Sequence, residues 1–236
     1  MNRMKKLLLA VLAMLFCCAP GIAQEQPAAP HTKVLPMFGN KPKTEAEQKA
    51  DEKFLSSCDK SFSSRTEASE FFMNSGWGYF NEGQVDTAMY RFNLAWLLNP
   101  DNYNTYWAFG LVENGKGNTA EAIGMYERAL KYQPNNSLLL SDMAAAYLTQ
   151  YEKDKKKKTL KKVVSYLDQS LAADARNAYA LFTMSQVRYH EKKYAEAWDY
   201  LHQSRHIDMR TLNYEFLAEL IAQMPDPQGM FRGDNQ

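Results

Sequence analysis

The chain has 236 residues, of which 45% are hydrophobic and 23% are charged, so it is long enough for one sizeable domain or a short repeat array and has an ordinary globular composition. Its 28 basic residues nearly balance its 27 acidic ones. Proteins that bind nucleic acid usually carry a basic excess or a basic stripe, so the balance argues against a nucleic-acid partner.

Residues 1–23 have the layout of a bacterial secretory signal peptide. Basic residues precede an apolar run at 7–19, and Ala23 ends a small-apolar-small stretch after a Pro-Gly breaker. The run is too short to span a bilayer comfortably, and no second candidate span follows it. We therefore expect cleavage after Ala23, export to the periplasm or beyond, and a mature chain of 25 basic against 27 acidic residues, a net charge of −2.

The cysteines leave one alternative to cleavage. Cys18, with Leu15 before it, is a poor match to the lipidation signal of an outer-membrane lipoprotein, which is the rival interpretation. The mature chain otherwise keeps only Cys58, so no internal disulfide stabilises the fold. We interpret Cys58 as a small apolar core residue.

Residues 24–43 hold four prolines, a density that excludes a regular helix and predicts a tether or an arm lying along the surface. Thr44, with Glu47 three positions on, forms a capping-box signal, and we predict an N-terminal helix over 44–68. Thr66 or Ser69 provides the next start signal. The apolar residues of the arm that are able to dock on the domain are Val34, Leu35, Met37 and Phe38.

Two stretches 34 residues apart match closely: AMYRFNLAWLLNP at 88–100 and AIGMYERALKYQP at 122–134. Each has a small residue, an aromatic one, a second small residue and a proline in the same places. Extended upstream, the match defines units 69–102 and 103–136. Apolar spacing within each unit predicts two helices, which a glycine-containing turn joins and a proline terminates.

The third unit, 137–177, is seven residues longer, and the excess lies in YEKDKKKKTLKK at 151–162. Seven residues are about two helical turns, so each helix can lengthen by about one turn without losing phase. The fourth unit, 178–211, keeps the apolar pattern but lacks the glycines and the proline. We predict a capping helix over 212–224 and a frayed tail over 225–236.

A 34-residue helix–turn–helix unit with this alternation of small and large residues resembles the tetratricopeptide repeat (TPR) family. Gly76 and Gly110 stand at its glycine position, whereas Glu113 replaces its tyrosine. The resemblance implies an all-α, right-handed α-solenoid of about four TPR units over 69–211. An N-terminal helix and a C-terminal capping helix flank the units.

The resemblance also implies a concave groove lined by the first helix of each unit. Aromatic rings with amides between them suit an extended peptide or a helix of a partner protein. The alternative is that the 24–43 arm or a helix at 44–63 fills the groove. The residues expected to contact a partner are Met73, Asn74, Trp77, Asn104, Trp107, Leu111, Asp142, Tyr179, Phe182 and Gln186.

One TPR groove type clamps a C-terminal carboxylate with Lys, Arg and Asn. This chain lacks that set, so binding of such tails is disfavoured. Its residues at those positions are Met73, Trp77, Ala108, Leu138 and Asp142.

The remaining candidate sites have simpler explanations. The lysine-rich run at 153–162 is expected to be the solvated end of a long hairpin, and His202 with His206 a surface pair rather than a metal site. The sequence offers no catalytic constellation, so we expect a non-enzymatic scaffold without cofactor or metal. The alternative function is a self-assembling envelope component that pairs through the solenoid ends or the lysine-rich hairpin.

Overall fold

The computed structural model describes residues 32–231, and in this range the protein forms ten α-helices, short 3₁₀ turns and no strand. The predicted signal peptide and the last five residues lie outside the described range. The helices are α1 (Glu45–Ser61), α2 (Arg65–Asn81), α3 (Val85–Leu98), α4 (Tyr103–Gly115), α5 (Thr119–Tyr132), α6 (Ser137–Asp154), α7 (Lys157–Ala173), α8 (Ala178–His190), α9 (Tyr194–Ile207) and α10 (Tyr214–Gln223).

Helices α2 to α9 form four consecutive hairpins, which confirms the all-α fold predicted from the repeats. Two helix glycines allow the close approach within the first two hairpins. A Cβ added at Gly76 would lie 2.4 Å from the Phe92 ring, and one at Gly110 would lie 2.3 Å from the Tyr126 ring. The glycine of each repeat therefore leaves the space that the aromatic ring of the facing helix fills.

Each hairpin turn contains a residue with left-handed backbone. Gly83 (φ 76°) and Gly117 (φ 82°) take this conformation in the first two turns without a steric cost. Lys155 (φ 51°) and Lys192 (φ 62°) take it in the third and fourth. The fourth hairpin therefore keeps the turn geometry although its sequence lacks the glycine.

The third hairpin is longer in both helices, as predicted. Its helices have 18 and 17 residues, against 13 and 14 in the second hairpin. The additions are five and three residues, or about one turn each, so the apolar faces stay in phase. Lysines 155–158 are exposed at the tip, as expected of a solvated end.

The structure divides the predicted helix 44–68. Thr44 caps α1 with Glu47 as expected, but α1 ends at Ser61 and α2 begins at Arg65. The Ser64 side chain accepts from the backbone N–H of Glu67, so helix α2 starts earlier than either predicted start. Ser69 is instead a buried helix residue whose hydroxyl donates to the Ala95 carbonyl at 2.9 Å.

The described part of the arm, Thr32–Asn40, lies on α3. Buried Asn93 donates to the carbonyls of Lys33 and Leu35 at 2.9 and 2.8 Å and accepts from the Phe38 N–H at 3.3 Å. Met37 is buried in the core below. The arm thus lies along the surface formed by the second helices of the hairpins.

The C-terminal cap is present, but the tail beyond it does not fray within the described range. Asp226 accepts from the backbone N–H groups of Gln228, Met230 and Phe231 and lies 2.8 Å from the ring of His202. Phe231 stacks on the His202 ring. His202 is therefore buried, and its prediction as half of a surface pair is wrong.

Candidate partner-binding groove

The first helices of the four hairpins, α2, α4, α6 and α8, carry the ten residues predicted to contact a partner. The structure gives these residues three levels of exposure. Asn74 and Tyr179 are exposed; Trp77, Asn104, Trp107, Leu111, Asp142 and Gln186 are partly exposed; Met73 and Phe182 are buried.

Four of these residues follow one another across the first helices, and we call them the central strip: Trp77, Trp107, Asp142 and Tyr179. Each comes from a different hairpin. The rings of Trp77 and Trp107 meet edge to face with centroids 6.4 Å apart, and the Trp107 indole N–H donates to the Asp142 carboxylate at 2.7 Å. A partner segment lying along the strip would touch all four repeats.

The Asp142 carboxyl has a raised pKa and lacks a cationic partner among the described residues. Burial raises the pKa of its carboxyl to about 6, although the hydrogen bond from the Trp107 indole lowers it. Within residues 32–231 no lysine, arginine or histidine forms an ion pair with it. Burial, and then the nearby Asp142 charge, raise the pKa of Tyr179 to about 12. At neutral pH the strip therefore carries one uncompensated negative charge.

Tyr126 lies beneath the strip, on the second helix of its hairpin. Its ring is fully buried against Gly110, and burial together with the Asp142 charge raises the pKa of its phenol. Within the described residues the buried hydroxyl has no hydrogen-bond partner. A buried polar group in this state costs free energy.

The fourth hairpin exposes fewer of the predicted groove residues than its sequence suggests. Phe182 packs against Phe216 of α10, with ring centroids 5.6 Å apart, and Tyr189 contacts the same ring at 5.5 Å. Gln186 lines a polar hollow shared with Glu219 of α10. The repeat register gives the helix face on which Phe182 lies, but not that the capping helix covers it.

The described parts of the two segments expected to fill the groove lie elsewhere. The arm bonds to Asn93 on α3 and to Lys116 in the turn before α5. Helix α1 places Phe54 against Phe72, with ring centroids 5.3 Å apart. No hydrogen bond or ring contact within residues 32–231 joins the arm or α1 to the central strip.

The lysine-rich hairpin borders a separate hollow of about 550 Å³ between the third and fourth hairpins. Arg188 is the most buried cation on its wall, and it pairs with Glu191 at 2.6 Å and Glu196 at 3.1 Å. Its charge is therefore already balanced. This hollow gives no indication of an anion site.

Metal sites and membrane spans are both absent from residues 32–231. No group of three or more His, Cys, Asp or Glu side chains in this range is placed to hold a metal ion. No described helix combines the length and the apolar character needed to cross a membrane.

No family model and no curated protein sequence matches the chain, whereas solved structures do. The structure of TTC0263, a thermophilic TPR protein in Thermus thermophilus, aligns over 66% of this chain and 82% of that chain at 18% identity, with a TM-score of 0.59. The Cut9–Hcn1 hetero-tetramer of APC/C aligns over 64% and 29% at 18% identity, with a TM-score of 0.53. MamA aligns over 69% and 86% at 14% identity, with a TM-score of 0.50. These likenesses show that the fold is a TPR solenoid.

Proposed function

We propose that this TPR solenoid is an exported, non-catalytic interaction scaffold that docks a peptide or a helix of a partner protein on the central strip. The observation that carries the proposal is the strip itself. It consists of two partly exposed tryptophan rings in the first two hairpins, followed by Asp142 and the exposed Tyr179 in the third and fourth, and no described segment of the chain covers it.

The chemistry of the groove suits a protein partner. Tryptophan and tyrosine supply large contact areas with few rotatable bonds and are enriched where interfaces gain most of their affinity. Asn74 and Asn104 lie beside the two tryptophans on α2 and α4, where their amides are available to backbone groups of an extended segment.

The proposal of export rests on residues 1–23, with their basic start, apolar run and small-residue ending. The proposal that the protein is not an enzyme rests on the sequence, in which we find no nucleophile-elbow motif and no paired carboxylates at an expected cleft. The mass and the first residue of the mature protein distinguish cleavage after Ala23 from lipidation at Cys18.

The test is capture of the partner from the native envelope by crosslinking and pull-down. We expect Trp77→Ala combined with Trp107→Ala to lose the captured partner while the helical circular dichroism persists. Trp96→Ala is the matched control, because Trp96 is partly exposed on the second helix α3, away from the strip. Equal capture by the double variant and the control would contradict the proposal, as would recovery of the protein alone.

A further inference from the structure

We propose that the centre of the groove receives a lysine or arginine side chain of the docked segment, which lies between the Asp142 carboxylate and the exposed faces of Trp107 and Tyr179. The inference rests on the proposed function, because it names the chemistry of the segment that the same groove docks. The scaffold would then select partner segments that carry a lysine or arginine at this position.

The first step is that the Asp142 carboxylate lacks most of the hydrogen bonds it can accept from the described residues. An ionised Asp side chain accepts about four hydrogen bonds, and among residues 32–231 the Asp142 side chain receives one, from the neutral Trp107 indole. A largely buried carboxylate without a cation is costly, and adding the cation recovers much of that cost. Asp142 is thus built for a positive charge that the described chain does not supply.

The second step is the surroundings of the carboxylate. Trp107 uses its N–H to orient Asp142, while its ring remains partly exposed beside the groove. Tyr179 is 40% exposed on the next hairpin. Aromatic faces beside a carboxylate are the setting in which ammonium and guanidinium groups gain cation–π attraction in addition to the ion pair.

The third step is the exclusion of other occupants at this point. An acidic residue, a phosphopeptide or a C-terminal carboxylate would be repelled by Asp142. An apolar side chain would remove the remaining water and leave the charge unpaired. A bare metal ion needs several ligands, and no cluster of suitable ligands exists among the described residues. Because the strip crosses four first helices, the cation belongs to an extended segment rather than to a small amine.

The experiment is a selection of random twelve-residue displayed peptides on the immobilised mature protein. Three forms are compared: wild type, Asp142→Asn, and Asp168→Asn as the control for loss of one negative charge. Asp168 is exposed on the second helix α7. We expect wild type and Asp168→Asn to enrich peptides with a lysine or arginine at one fixed position, and Asp142→Asn to lose that enrichment.

The best selected peptide is then used to measure the energetic coupling between its basic residue and Asp142. Replacing its lysine by norleucine should weaken binding to wild type by about tenfold or more and should change binding to Asp142→Asn much less. Binding to wild type should also weaken from pH 7.5 to pH 5 as Asp142 takes up a proton. The other titratable groups facing Asp142 are Tyr126 from α5 and Tyr179 from α8, and their raised pKa values keep both neutral in this range.

The outcomes separate the inference from the function on which it rests. Peptides that bind through Trp77 and Trp107 without a basic residue, or with equal affinity for Asp142→Asn, would overturn the cation site and leave groove docking intact. A pH-independent affinity would overturn it as well. If no selected peptide depends on Trp77 and Trp107, groove docking itself fails and the cation site fails with it.

Discussion

Asp142 is the residue at which binding and stability oppose each other. Burial raises its pKa to about 6 from the 3.8 of an exposed aspartate. The folded protein therefore holds this proton more tightly than the unfolded chain does. The ionised carboxylate lowers stability above about pH 6, and this cost disappears below about pH 4.

We expect Asp142→Asn to raise the free energy of unfolding at pH 8 by about 2 kcal/mol and to change it little at pH 4. Asparagine keeps an oxygen that accepts from the Trp107 indole but carries no charge to bury. Urea unfolding at the two pH values measures the difference, with Asp168→Asn as the control. A variant that is less stable than wild type at pH 8 would show that the carboxylate is already compensated.

Asn93 fixes the arm on helix α3, because its side chain forms hydrogen bonds with three backbone groups of the arm. Met37 to Asn40 all have positive φ, a conformation that costs about 1–2 kcal/mol for each residue other than glycine. The arm keeps this shape only while contacts such as those of Asn93 hold it.

Asn93→Ala should speed hydrogen exchange at the Phe38 amide and lower the free energy of unfolding by about 2 kcal/mol. The amide loses its acceptor, and the carbonyls of Lys33 and Leu35 lose their donor. Asn135→Ala, at an exposed loop position, is the control. Unchanged protection at Phe38 would mean that packing of Met37 alone fixes the arm.

At the scale of the helices, the repeat pattern predicts the hairpins correctly but does not predict which segments pack over them. It predicts four hairpins and the longer third one, because small and large residues recur at positions set by helix–helix contact. Coverage depends on contacts distant in sequence, such as Asn93 with the arm and Phe216 on Phe182. Helix α2 begins before either predicted start because Ser64 caps it.

The glycines of the hairpins allow a test with an internal control. Gly110→Ala places a Cβ against the Tyr126 ring and should lower the free energy of unfolding by about 1–3 kcal/mol. Gly124→Ala, in helix α5 with no atom within 4 Å of the added Cβ, should raise it by about 0.5–1 kcal/mol. Thermal or urea unfolding compares the two. The same sign for both would contradict the close-packing role of Gly110.

At the scale of the molecule, residues 32–231 form a repeat array with additional elements at both ends. Phe54 of α1 packs on the first hairpin, and α10 with Phe231 covers the last one. Repeat proteins need such caps because an uncovered terminal repeat exposes an apolar face. Capped ends therefore favour the side of the array as the surface for partners.

We therefore expect light scattering of the mature protein to give the mass of one chain at every concentration tested. Removal of the exposed lysines at 155–158 should leave that mass unchanged. A mass that rises with concentration and falls again on removal of the lysines would support the self-assembling alternative.

The central claim is that partners dock on the first-helix side of the array, and photo-crosslinking in the native cell tests it most directly. A photoreactive residue replaces Asn104 in the groove or Asp168 on the second-helix side. We predict a specific partner adduct from position 104, none from position 168, and loss of the adduct in the Trp77→Ala, Trp107→Ala background. The same adduct from both positions, or no adduct from position 104, would contradict the claim.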